Sequence, residues 1–113
     1  MDDNQELIHN FKQMINRAMH DAKYAHNLIF DEKKTSIAIA YLNSSIAKFS
    51  ASEALCYAHF DDLYRIEIEK FFHQFHVFSD EMLTNIRTDH SHQWSGIEYD
   101  RLIELYEDSP LHD

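Results

Sequence analysis

Two groups of residues have the types and spacing to do chemistry. In the stretch IRTDHSHQWSG, residues 86–96, an arginine, an aspartate and two histidines crowd into one polar segment, which ends at the single tryptophan and single glycine of the chain. Earlier in the chain, Glu69, His73, His76 and Asp80 recur at spacings of four, three and four. On a helix turning about 100° per residue, these four side chains fall within about 60° of one another. Two imidazoles flanked by carboxylates make a workable ligand set for zinc or another divalent transition metal. The stripe lies about 145° round the helix from the apolar seam of the same segment, so it is expected to face solvent. It would hold a metal weakly, or only where another helix or subunit covers it. Asp89, His90 and His92 make an alternative metal clip in the quoted stretch. HExxH, CxxC, a Gly-rich phosphate loop and a Gly-flanked serine are all absent, which leaves the familiar nucleotide-binding and hydrolase chemistries without support.

Arg87 is followed by His92, an R-x-x-x-x-H spacing between a long predicted helix and a final one. This resembles the motif of HEPN domains, small helical bundles that often dimerise and include ribonucleases. The resemblance covers six residues and the helix layout. It implies that Arg87 and His92 lie at a dimer cleft, with Arg87 stabilising phosphate charge and His92 acting as acid or base on an RNA backbone. The residues read on their own suggest a plainer role. Arg87 complements the negative end of a helix, His90 and His92 are loop residues, and Trp94 tucks onto the core.

Charge narrows the partners. Twenty acids against ten bases give a net charge of −10, and the acids lean toward the C-terminal half. Such a surface repels phosphate backbones, so nucleic-acid binding is not expected, whereas a basic partner or a cation is accommodated. Nine histidines are the compositional outlier, and full protonation would bring the charge from −10 to about −1. Cys56 sits among apolar residues in EALCYAHF and is expected to be a buried, reduced thiol. The opening residues MDDNQELIHNF lack a basic-then-apolar leader, and no apolar run reaches membrane-spanning length, so a cytoplasmic protein is expected.

These residues need elements to position them. One glycine and one proline in 113 residues leave few turns, which predicts long helices. Ile8, Phe11, Ile15, Ala18, Ala22, Ala25 and Ile29 follow a 3-4 spacing, and Asp3 with Glu6 reads as a capping box ahead of them. After the polar break FDEKKTS, where Thr35 or Ser36 would cap, the pattern resumes at Ile39, Leu42, Ile46 and Phe49. The middle of that segment, SSIAKFSASEA, is rich in small residues that let a neighbouring helix approach closely. A break or kink is expected at residues 60–62. A third seam then runs through Tyr64, Ile68, Phe71, Phe75, Phe78 and Met82, and a short helix follows a second capping box at Ser95 and Glu98.

The fold these patterns predict is all-α, an up-and-down four-helix bundle forming one domain over residues 1–113. The function expected is that of a small acidic protein acting without catalysis or resident cofactor. It would work through protein–protein contact and self-associate as a homodimer by its Ala/Ser-rich and aromatic faces. The alternatives are an HEPN-like ribonuclease or toxin–antitoxin component using Arg87 and His92, and a metal-binding bundle, for zinc or another divalent transition metal, using Glu69, His73, His76 and Asp80.

Overall fold

A computed structural model of the chain describes residues 3–88 and 93–111, which form five helices and no strand. Helix α1 spans Asp3–Leu28 and α2 spans Thr35–Ala58, with a single 3-10 turn, Glu32–Lys34, between them. A one-turn helix α3, Phe60–Leu63, precedes α4, Ile66–Thr88, and α5 is Gln93–Asp108. The fold is therefore all-α, with five helices rather than the expected four. The additional helix fills the expected break at residues 60–62. There the backbone leaves α2 at His59 (φ −124°, ψ 49°), makes one turn, and straightens at Tyr64 (φ −71°, ψ 135°).

The break before α2 is also capped differently from expectation. Asp31 accepts a hydrogen bond from the Lys33 amide at 3.0 Å, and Thr35 Oγ1 donates back to the Glu32 carbonyl at 3.1 Å. The capping side chain thus sits one turn ahead of Thr35 and Ser36, because the 3-10 turn presents its free amides first.

Helices α1 and α2 run antiparallel and pack on each other most extensively, and α4 and α5 do the same. The first seam consists of small residues. Ala18, Ala22 and Ala25 on α1 meet Ala38, Ser45 and Ser52 on α2, all fully buried. Ser45 Oγ donates to the Ala18 carbonyl at 2.7 Å, a side-chain-to-backbone contact that a bulky residue at either position would prevent. Asp21 closes the edge of this seam by accepting from Ser44 Oγ at 2.7 Å and pairing with Lys48.

Leu42, Phe49 and Cys56 are buried as the expected seam requires, but the close approach rotates its centre toward α1: Ile39 and Ile46 are only half-buried, and Ala38 and Ser45 take inner positions. A search for large apolar residues follows bulk, whereas the contact with α1 selects smallness.

Between the hairpins the packing is aromatic. Phe49 of α2 stacks on Phe75 of α4 with ring centroids 3.5 Å apart and lies 5.4 Å from Phe71. Phe11 of α1 meets Phe72 edge-on at 6.3 Å. This layer spaces the hairpins while the small-residue seam draws α1 and α2 together, giving an elongated body of 47 × 22 × 22 Å. Cys56 is buried beneath it as expected, and burial, reinforced by the charge of Glu53, raises its thiol pKa. No helix among the described residues is long and apolar enough to cross a membrane.

Helix α5 begins at Gln93, so Ser95 lies inside its first turn, fully buried, rather than capping from outside. Ser95 and Leu102, seven residues apart, set the inward face. Trp94 is about 100° round from Ser95 and stands 63% exposed, not tucked onto the core.

Candidate functional site

Helix α4 carries the predicted stripe of Glu69, His73, His76 and Asp80, all four exposed, as their angle from the Phe71, Phe75 and Phe78 seam requires. The stripe is divided among different partners. The Tyr64 hydroxyl donates to Glu69, and His76 Nε2 lies 2.7 Å from Glu53 Oε1 across the junction with α2. His73 and Asp80 stand on the outer surface. Among the described residues, no group of three or more His, Cys, Asp or Glu side chains is arranged to hold a metal ion.

The Tyr64–Glu69 pair has a measurable consequence. The carboxylate accepts the phenol proton as a hydrogen bond, favouring the protonated phenol and raising the Tyr64 pKa to about 12. A folded-state pKa above the ordinary tyrosine value of 10 contributes stability that is fully present below pH 10 and lost as pH rises toward 12. An ultraviolet phenolate titration should show one tyrosine ionising last, and Glu69→Ala should move that step down toward 10. An unchanged step would mean that the pair does not form in solution.

Arg87 lies exposed in the last turn of α4. Asp89, His90 and His92 fall outside the described residues, and with them the Arg87–His92 pair and the alternative metal clip.

The described surface is notable for its apolar groups. Tyr24 of α1 and Tyr41 of α2 lie with ring centroids 5.4 Å apart, both exposed, close to exposed Phe30 and Ile37 in sequence. At the other end of α2, Tyr57, Phe60 and Tyr64 form a run of stacked rings at 6.4 and 4.3 Å, with Ile66 exposed beyond. Between these ends, Ala40, Asn43, Ala47, Ser50, Ala51 and Ala54 of α2 are all exposed. Lys48 and Glu53 are the sole charged residues of α2, and both turn toward neighbouring helices.

Richness in Ala and Ser marks α2 in the sequence but does not by itself distinguish its two faces. The signal available was charge: two ionisable side chains of the Asp/Glu/Lys/Arg type in 24 residues, in a chain where 27% are charged.

The described surface also has shallow grooves, among them one of about 530 Å³ beside His9, Gln13, Arg17 and Lys48. One of about 180 Å³ lies between α1 and the α3–α4 corner, floored by Phe11, Leu63, Ile68 and Leu111. Another of about 170 Å³ lies between α1 and α5, beside Tyr99 and Tyr106, whose hydroxyl donates to Asn16 at 3.3 Å. Burial raises the pKa of both tyrosines, so both keep their phenol protons at neutral pH. Compared with protein-family models, with curated proteins and with solved structures, the chain matches none.

Proposed function

We propose that this chain is a non-catalytic interaction protein that works by binding protein surfaces and associates with itself, its four long helices serving as an up-and-down bundle scaffold. One observation carries the reading: large apolar side chains are left in solvent at both ends of α2. Phe30 is 61% exposed, Tyr57 52%, Tyr24 and Ile37 51% each, and Phe60 49%. Scattered exposed apolar residues are ordinary, but aromatic rings gathered into stacked groups mark contact surfaces. Aromatic residues are also the types enriched at interface centres.

Sedimentation equilibrium tests this. The protein is expected to exceed its 13.5 kDa monomer mass at micromolar concentration. Association should tighten as salt is raised, because screening weakens the repulsion between copies that each carry a net charge of −10. A 13.5 kDa species at low and high salt and at all concentrations would overturn self-association. RNA cleavage by the purified chain that disappears in Arg87→Ala and His92→Ala variants would replace the proposal with the ribonuclease reading.

A further inference from the structure

We infer that the outward face of α2 is the surface on which a second copy of this chain docks, its α2 antiparallel to the first about a two-fold axis near Ala47. This rests on the self-association proposed above and assigns it a face and a geometry.

Helix α2 is unusual in having no charged side to give to water: its exposed face is mostly alanine, with the small polar residues Asn43 and Ser50 among them. Its inner face, Ala38, Ser45 and Ser52, is buried against α1, and its outer face carries Ala40, Ala47 and Ala54 in the same seven-residue register. An offset of two residues turns the second set about 200° from the first, so the two sets lie on opposite sides. The solvated face of a surface helix ordinarily carries charge, and the uncovered side of α2 carries none. The inner set shows what this spacing does in this chain: it seats an antiparallel helix close enough for a serine to reach a backbone carbonyl.

Charge selects a second copy as the occupant and sets how it approaches. Residues 1–58 hold seven acids and six bases, a net of −1, whereas residues 59–113 hold thirteen acids and four bases, a net of −9. Two copies meeting through α2 join their nearly neutral halves and keep α5, which lies across the bundle from α2, away from its counterpart. Approach through any face of α4 or α5 would bring the anionic halves together.

A helix of 24 residues is about 36 Å long and about 10–12 Å across, so the α2 face alone offers about 400 Å², about half of what each partner gives to a standard stable interface. The exposed rings at its two ends, Tyr24 with Tyr41 and Tyr57 with Phe60, extend it. Its residues are symmetric about Ala47 as well. Ala40 and Ala54 lie seven positions either side, and Ile37 and Tyr57 lie ten. Antiparallel pairing therefore sets Ala40 of one copy opposite Ala54 of the other and fits an isologous contact, with the helix dipoles opposed favourably.

Ala47→Glu puts two carboxylates face to face across the axis while occupying an exposed helical position in the monomer. Sedimentation of the wild type is expected to give about 27 kDa, twice the chain mass of 13.5 kDa. The variant should weaken the dimer about 100-fold or more, with unchanged helical circular dichroism. Ala47→Cys should form a disulfide-linked dimer under mild oxidation, whereas Asp100→Cys on α5 should not. A wild-type dimer that withstands Ala47→Glu, or cross-links through position 100 and not 47, would overturn the α2 face while leaving self-association intact. A wild type that stays monomeric overturns both.

Discussion

Phe75→Ala is expected to lower the unfolding free energy by about 3–5 kcal/mol, the range for removing a buried phenylalanine and leaving a cavity. Phe75 is 1% exposed, stacks on Phe49 at 3.5 Å, and lies 6.3 Å from Phe78. It is thus the centre of the layer that holds the two hairpins together. Nothing nearby can collapse into the space without drawing α2 and α4 closer, and the small-residue seam already holds α2 against α1. His73→Ala, two residues away on the exposed side, should cost less than about 0.5 kcal/mol. Denaturant midpoints followed by circular dichroism compare the two. Equal losses would contradict the helical phase of α4.

Ser45→Leu is expected to cost about 3 kcal/mol or more, at the upper end of overpacking effects. Ser45 is fully buried with its hydroxyl on the Ala18 carbonyl, so a leucine meets the backbone of α1 directly and has no side chain to push aside. Ser45→Ala should cost only about 1 kcal/mol, the net worth of one hydrogen bond. Ile46→Leu, at a half-buried position, should cost less than about 1.5 kcal/mol. Thermal melts of the three should set Ser45→Leu well below the other two. Tolerance of Ser45→Leu equal to that of Ile46→Leu would mean that α1 and α2 are not in close approach.

The two substitutions also mark how far the sequence could be read. The Phe71, Phe75 and Phe78 seam of α4 was legible because bulk and burial coincide there, and the Ala18, Ala22 and Ala25 seam of α1 because its 3-4 spacing is unbroken. In α2, Leu42, Phe49 and Cys56 were legible in the same way, but one edge of the seam was not: Ile39 and Ile46 outweigh Ala38 and Ser45 in any hydrophobic pattern, and only the presence of α1 decides between them. The turn at Phe60–Leu63 was legible as a break but not as a helix, since FDDL alone has too few residues to declare one. At the candidate site, the exposure of Glu69, His73, His76 and Asp80 followed from their angle on α4. Their division between Tyr64 and Glu53 did not, because both partners lie on other elements. Trp94 misled for a related reason: a lone tryptophan beside a serine cap suggests a staple, but the start of α5 at Gln93 turns it to solvent.

The pairing of neighbouring helices bears on how the chain finds its shape. Ala18 and Ser45 are 27 residues apart, and Gln74 and Glu98 are 24 apart, so each hairpin forms from a short search. The Tyr106–Asn16 contact instead spans 90 residues. Topologies dominated by near neighbours fold in microseconds to milliseconds, because little loop entropy is lost before contacts form. The slow step is then expected to be the meeting of the two hairpins at the phenylalanine layer, where the contacts span the most chain. The native state should open along the same line, the hairpins parting as units before their helices fray.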